Sequence, residues 1–587
     1  MKPLLRLLPF LARYKKTLIW GLVTVIMSNI FTVAQPLIVG RAIDMLKSGL
    51  ELRKIDGHGI LLYAGIVIGC SLVAGTFTFL TRQTIIVTSR HVEFDLRNAF
   101  LEHIQRLPLS FFQRTPTGDL MALATNDISA VRNVLGPGIM YPTDTLMTFI
   151  MVLFVITSLD WKLTLLALIP LPFVSYAVYA LGKLVHVKFE ERQKQYSELT
   201  TRAQENLSGI RVIKAYVREA FEINRFHAMS WDYLKKNLVL ARVQSIMWPL
   251  MFLLVGFSIV ITMYFGGLQV INGTLTIGTL TAFFGYLVML IWPMIAFGWV
   301  VNILQQGAAS MGRLARIFDT KSDIADVGPV RWDHQEMKGA IEFRDVVFSY
   351  PETSQPALKG ISLAVPAGTT LAIVGYTGSG KTSLVNLLPR LYDVTSGSVL
   401  IDGIDVRHIP LEVLRKNIGC VPQETFLFSE SIAENVRYGS AGATDVELEH
   451  ATDVAQIAKD VDGFPKGFGT VLGERGITLS GGQKQRTSIA RAVIRNPKIL
   501  ILDDALSSVD TYTEEEILQR LRTVMRGRTS IIISHRVSTV KDADKIVVLN
   551  DGAIAEEGTH DELVALGGIY GELYRKQLLE EQLEKLS

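Results

Sequence analysis

Apolar runs and long charged stretches alternate over the first half of the chain. Thr17 to Gly40 is free of charge, and so is Gly59 to Thr81. Each run reaches the ~20 residues that a spanning helix needs. Asn133 to Leu159 is a third run, interrupted only by Asp144, and Leu163 to Gly182 is a fourth. Val243 to Gly312 carries no charged residue and suffices for two passes, with a turn near Ile271–Leu275. The pattern predicts about six spanning helices.

The polar segments between these runs are unequal. Arg82 to Arg132 and Lys183 to Arg242 are long and basic, whereas the loops after the first, third and fifth spans are short. The excess of Lys and Arg places both long segments, both termini and the second half in the cytoplasm. They read as spanning helices that continue past the bilayer and are joined in pairs by short turns. Leu109–Asp119 and Ser208–Val217 are two such turns, and both carry aromatic or aliphatic residues. Apolar residues at a cytoplasmic tip need a protein partner. The two turns are therefore expected to be short coupling helices that dock on a cytoplasmic motor domain. Met1 to Phe10 is too interrupted for a signal-peptide core and reads as an amphipathic segment lying on a membrane face.

The pattern changes after Asp319. Asp319 to Lys338 is polar, contains Gly328-Pro329 and reads as a linker. From Ile341 onward, short apolar strands alternate with helical patterns, as in a soluble α/β domain. The expected division is a transmembrane domain at 1–318, a linker at 319–339 and an α/β P-loop domain at 340–587. Within the last, Leu371–Val374 is a strand followed by Gly375-Tyr376-Thr377-Gly378-Ser379-Gly380-Lys381-Thr382. This G-x-x-x-x-G-K-T loop turns backbone N–H groups onto phosphate oxygens. Lys381 can reach the β/γ-phosphates, and the Thr382 hydroxyl can ligate Mg²⁺. Lys498–Asp503 is a buried strand ending in a carboxylate suited to Mg²⁺. Leu479-Ser-Gly-Gly-Gln483 opens a helix and makes a second anion-binding arrangement. If the two phosphate-facing motifs cannot meet in one domain, the second serves a nucleotide on a partner.

Composition adds limits. The chain has 587 residues, 49% of them hydrophobic, with a net charge of +3. That balance gives no reason to expect nucleic acid. Cys70 and Cys420 lie far apart without metal-ligand spacing and read as reduced thiols.

With these motifs in order, nearly the whole chain resembles an ATP-binding cassette (ABC) exporter half-transporter. The resemblance implies a six-helix exporter fold followed by a nucleotide-binding domain. It also implies ATP and Mg²⁺, and a second half-transporter as partner in a lipid bilayer, placed at the plasma membrane. Tyr350 would stack on adenine. Gly375, Thr377, Gly378, Ser379, Gly380, Lys381, Thr382 and Ser383 would hold the phosphates. Thr382, Gln423 and Asp503 would hold Mg²⁺, and Gln423 would also sense the γ-phosphate. Ser480, Gly482 and Gln483 would close on ATP held by the opposite subunit. His535 would contact the γ-phosphate, and Ser507–Asp510 resembles the family's D-loop. Gly473–Gly476 resembles the exporter loop that touches coupling helices.

One position departs from the family pattern. The residue after the Walker B aspartate is normally glutamate, which polarises the attacking water; here it is Asp504. Its carboxylate is one methylene shorter, so charge is kept and geometry is lost. It resembles the degenerate subunit of heterodimeric exporters, with a homodimer of two slow sites as the alternative. The expected activity is ATP-driven export or flipping of an amphipathic small molecule, drug or lipid. An ATP-gated channel or regulatory subunit is the alternative from another class. Ionisable residues at membrane depth are candidates for the substrate path. Asp144 and Arg82 are the two here, facing a cavity and pairing with substrate or with each other. Trp248, Trp292, Met247, Met251 and Met294 could line such a cavity.

Overall fold

The computed structural model describes residues 2–586 apart from 53–56, 327–335, 352, 354, 474, 475 and 477, and leaves some side chains undescribed. Gly328-Pro329 and the centre of Gly473–Gly476 therefore lie outside the described residues, as do the side chains of Trp248, Met251 and Met294. The chain divides into two compact units. One comprises Met1–Gln105 with Thr117–Thr320, the other Arg106–Pro116 with Lys321–Ser587.

The first unit is helical. Its long helices are α1 (Lys15–Glu51), α2 (Gly57–Gln105), α3 (Thr117–Leu159), α4 (Leu171–Ser208), α5 (Glu219–Ile271) and α6 (Ile277–Asp319). Among the described residues, all but α4 are long and apolar enough to cross a membrane. The fourth expected span, Leu163–Gly182, is instead shared between Trp161–Leu168 and the start of α4. Pro170 and Pro172 explain the break, because proline fits the first turn of a helix and removes a donor further in.

Close contacts fix the helix crossings. A Cβ on Gly278 would lie 1.9 Å from the Gly40 carbonyl oxygen, so α1 and α6 touch backbone to backbone. Hydroxyls join α1 to α2: Thr81 donates to Thr24 at 2.9 Å, and Ser28 pairs with Thr78 at 2.8 Å. Turns of π-helix interrupt α2 at Arg82–Ile86 and α3 at Leu123–Asp127. The second places Asp127 against α6, where it accepts from Ser310 at 2.7 Å and from Arg313 Nε at 3.0 Å.

The segment before α1, expected to be amphipathic, has one side on protein and one side open. Lys2–Leu7 forms a short 3₁₀ helix packed on protein. Leu7 is 1% exposed, and Arg6 donates to both oxygens of Asp319 at 2.7 and 2.8 Å. Leu5 and Leu8 remain exposed on its other side.

The second unit holds two sheets. The strands are β1 (Ile341–Phe348), β2 (Leu358–Val365), β3 (Thr370–Gly375), β4 (Ser396–Ile401), β5 (Ile404–Asp405), β6 (Ile418–Val421), β7 (Ile499–Asp503), β8 (Thr529–Ile533), β9 (Lys545–Asn550) and β10 (Ala553–Gly558). An antiparallel sheet runs β2-β1-β4-β5, and a mixed sheet runs β10-β9-β3-β8-β7-β6. In the mixed sheet β9, β3, β8, β7 and β6 are parallel. Strands β7 and β8 are buried along their whole length, which accounts for their unbroken Ile/Leu runs. The helices that bear on the site are α7 (Lys381–Asn386), α8 (Gly481–Ile494) and α9 (Thr511–Met525). Neighbouring β3, β8 and β7 deliver Gly375, His535 and Asp503 to one edge. Ligands of open α/β sheets bind at that carboxyl edge.

Candidate active site

The glycine loop is built by backbone that side chains resist. Gly375 has φ +149°, and a Cβ there would lie 2.2 Å from the Leu549 carbonyl oxygen. Gly380 has φ +100° at the N-terminus of α7, and its Cβ would lie 2.8 Å from the Ala357 carbonyl. Lys381 is 7% exposed and folds back to donate to the Gly375 and Tyr376 carbonyls, both at 2.9 Å. Burial lowers its pKa below the usual ammonium range, while Asp503 and Asp504 pull it upward.

The loop opens on a cavity of about 300 Å³. Tyr350, Thr377, Gly378, Gly380, Lys381, Thr382 and Ser383 line one part. Gln423, Asp503, Asp504 and His535 line the rest. Most of the residues expected to hold one nucleotide are thus together in space. Gly375 and Ser379 shape the loop behind the lining. The Ser379 hydroxyl is buried and has no hydrogen-bond partner among the described residues. The Tyr350 hydroxyl pairs with Ser383 at 2.9 Å. The Tyr350 ring stands edge-on to Phe348 and Tyr392, at centroid distances of 4.8 and 5.4 Å.

Asp503 is 3% exposed. Its pKa is raised, first by burial and then by the Asp504 charge, against a hydrogen bond from Thr382 and the charges of Lys381 and His535. Among the described residues no group of three His, Cys, Asp or Glu could hold a metal alone. Thr382 and Asp503 nevertheless suit Mg²⁺, which commonly takes one or two protein oxygens and completes its shell with phosphates and water. Gln423 lines the same cavity as a further ligand candidate. Bound there, Mg²⁺ would neutralise phosphate charge.

Asp504 has φ +48°, a left-handed conformation that Asp tolerates better than most residues. Its N–H donates to the Ile533 carbonyl at 2.9 Å, and its carbonyl accepts from the Ser507 hydroxyl at 3.0 Å. The backbone under the carboxylate is therefore held on both sides.

The signature residues do not line this cavity. Ser480 caps α8 by accepting from the Gln483 N–H at 3.3 Å, and Gln483 returns a bond to the Ser480 N–H at 3.0 Å. Gly482 lies against the Ser507–Asp510 turn, where a Cβ would lie 2.9 Å from the Ser508 carbonyl. The helix start faces outward, with Ser480 exposed.

Sequence reasoning missed three side chains behind these motifs. Asp460 accepts from Gln483 at 3.1 Å and pairs with Arg486 at 2.7 Å. Gln485, 3% exposed, donates to Ser507 Oγ and accepts from the Ser508 N–H, both at 2.9 Å. Glu514 is equally buried, against Arg536 and Thr539. Gln485 and Glu514 are marked by burial and the half-buried Asp460 only by its partners, so nothing local in the sequence sets them apart.

The membrane candidates separate. Asp144 is half-buried and accepts from Asn29 Nδ2 at 2.8 Å, while Asn29 Oδ1 accepts from Thr148. Arg82 is exposed in the π-turn of α2 and does not pair with Asp144. Trp292 is 50% exposed.

Residues 18–294 match the family described as ABC transporter transmembrane region, and residues 358–507 match the ABC transporter family. The probable multidrug resistance ABC transporter YheI of Bacillus subtilis is 39% identical over 95% of each chain. An ATP-dependent lipid A-core flippase of Syntrophus aciditrophicus is 37% identical over 96% of this chain and 92% of its own. The multidrug resistance-like protein MdlA of Escherichia coli is 36% identical over 94% and 92%. A solved bacterial Atm1-family ABC exporter with ATP bound superposes with a TM-score of 0.78. It is 27% identical, and the match covers 96% of this chain and 99% of that one.

Proposed function

The chain belongs to the ABC exporter family, and on that premise we propose that it is one half of a dimeric exporter whose own ATP site is weakened at Asp504. It is a multi-pass, ATP-hydrolysing transporter of the multidrug exporter and lipid flippase kind. The weakened site is inferred from one observation. Asp504, in the place where the family carries a general base, lines the nucleotide cavity on a backbone tied to Ile533 and Ser507. A carboxylate one methylene short stands back from the water it should polarise.

In this reading Tyr350 stacks on adenine, and Lys381 and Ser379 hold phosphate. Thr382, Asp503 and Gln423 hold Mg²⁺, and His535 contacts the γ-phosphate. Ser480, Gly482 and Gln483 face outward to close on a nucleotide held by the partner subunit. A partner glutamate at the second site would carry most of the turnover, making the dimer a heterodimer. The first tip, Leu109–Arg114, groups with the nucleotide-binding unit, where Gln113 lies beside Tyr392. The second tip exposes Val212 and Tyr216, apolar surface for the partner's motor domain. Substrates are amphipathic drugs or lipids, with the Asp144–Asn29 pair as a polar point on the path. Arg82 stays a substrate candidate at the second-span boundary. The membrane is the plasma membrane, with termini and motor in the cytoplasm.

The test is ATP turnover of this chain purified alone in lipid vesicles. The weakened-site reading expects slow hydrolysis that a co-purifying second subunit raises. Robust turnover by the chain alone, lost in Asp504→Asn, refutes it and leaves a homodimeric flippase.

A further inference from the structure

Glu514 sits on the first turn of α9, directly after the Ser507–Asp510 turn. Asp510 caps this helix: its Oδ1 accepts from the Thr513 N–H and its carbonyl from the Glu514 N–H, both at 2.9 Å. The Glu514 carboxylate is 3% exposed. Its Oε1 accepts from the Thr539 hydroxyl at 2.7 Å, and its Oε2 accepts from the Arg536 guanidinium. Arg536 follows His535, and its N–H donates to Ser534 Oγ at 3.0 Å. One carboxylate therefore grips the turn beyond His535 at two points, and it stands on the helix that the Ser507–Asp510 turn begins.

A buried carboxylate is costly unless its oxygens are filled with donors. An apolar residue could occupy the same space, but it would hold neither Arg536 nor Thr539 in a set direction. The arrangement suits fixing a geometry more than adding stability.

We propose that Glu514 is a positioning residue for His535, holding the loop that aims the imidazole into the nucleotide cavity and tying it to the Ser507–Asp510 turn. The proposal rests on the reading of His535 as a γ-phosphate contact. Movement of the Ser507–Asp510 turn then reaches His535 through Asp510, Glu514 and Arg536 without passing through the nucleotide.

The experiment is single-turnover ATP hydrolysis by the full-length chain in lipid vesicles, which reads a slow site directly. Four forms are compared: the native chain, Glu514→Gln, His535→Ala and the double variant. Glu514→Gln keeps the side-chain shape, and should slow hydrolysis between about ten- and a hundredfold, the scale of an ångström-sized misplacement. Mg-ATP affinity should stay within about twofold, and so should the further effect of Glu514→Gln on His535→Ala, since two groups acting as one unit are not additive. Thr539→Val, which removes one donor and leaves Arg536 in place, should give a smaller loss with the same non-additivity. It serves as the test if Glu514→Gln does not fold. A full loss from Glu514→Gln on top of His535→Ala, or a loss that appears only as weaker binding, overturns the proposal. Native rates in His535→Ala overturn the γ-phosphate reading and this proposal together.

Discussion

Replacing Asp504 with glutamate should raise turnover at this chain's own site. The backbone at 504 is tied by a 2.9 Å bond to Ile533, a 3.0 Å bond from the Ser507 hydroxyl and a longer one of 3.4 Å from Gln485. At about 1 kcal/mol net for each bond, these ties amount to roughly 3 kcal/mol. Holding glutamate instead of aspartate at φ +48° costs about 1 kcal/mol more. The ties win, the backbone stays, and the added methylene goes into the cavity. It extends the side chain by about 1.5 Å. A displacement of about 1 Å is worth up to roughly a hundredfold in rate. The gain in kcat should then lie between about ten- and a hundredfold, or ~1.4 to 2.7 kcal/mol off the barrier. The assay is ATP hydrolysis in lipid vesicles at saturating Mg-ATP, with KM measured alongside and Asp504→Asn as the inactive reference. An unchanged kcat, or a gain explained by a lower KM, refutes the geometric account of this site.

Gly375→Ala should remove Mg-ATP binding and cost about 2–4 kcal/mol, because its Cβ would meet the Leu549 carbonyl at 2.2 Å in a left-handed backbone; thermal unfolding with and without Mg-ATP measures both. Gly278→Ala should force α1 and α6 apart and lower the unfolding temperature of the detergent-solubilised chain, whereas Gly267→Ala, with open space around it, should not. Gln485→Ala should cost about 1–3 kcal/mol and lower kcat more than it raises KM, because it leaves the Ser508 N–H without its acceptor and the Ser507 hydroxyl with only its bond to the Asp504 carbonyl. The Asp503 pKa is raised, chiefly by burial, so the folded state favours its protonated form. That contribution to stability is present below the ordinary carboxylate pKa and fades as pH rises through the raised value. Mg²⁺ needs the ionised carboxylate, so Mg-ATP binding should weaken as pH falls through the same window and release protons. Calorimetry in two buffers of different ionisation heat reads this release, and its absence would remove Asp503 as a ligand.

Much of the nucleotide site is legible in the sequence because its parts are local. Gly375–Thr382 is a strand end, a turn and a helix start in eight consecutive residues, and its glycines are required by their own φ angles. Ser480 and Gln483 likewise build a capping box within one turn of α8. Charge-free runs report spanning helices for the same reason, since length and apolarity are read residue by residue. The fourth run shows the limit of that reading. Its composition suits a span, but Pro170 and Pro172 divide it between two helices.

What the sequence alone determined about this chain is its set of parts: apolar spans, a glycine loop between a strand and a helix, a buried strand ending in Asp503, a signature turn and an aspartate where a glutamate is usual. Tertiary structure decided which of them meet. It joined Asp144 to Asn29, 115 residues away, rather than to Arg82. It placed Arg6 on Asp319 across 313 residues, and set Glu514 against Arg536. It also left the signature outside the cavity that the other motifs share. The physical reason is that a turn or a cap is fixed by dihedrals and bonds within a few residues. A buried polar partner is chosen only when packing removes water from both groups and leaves each with no alternative.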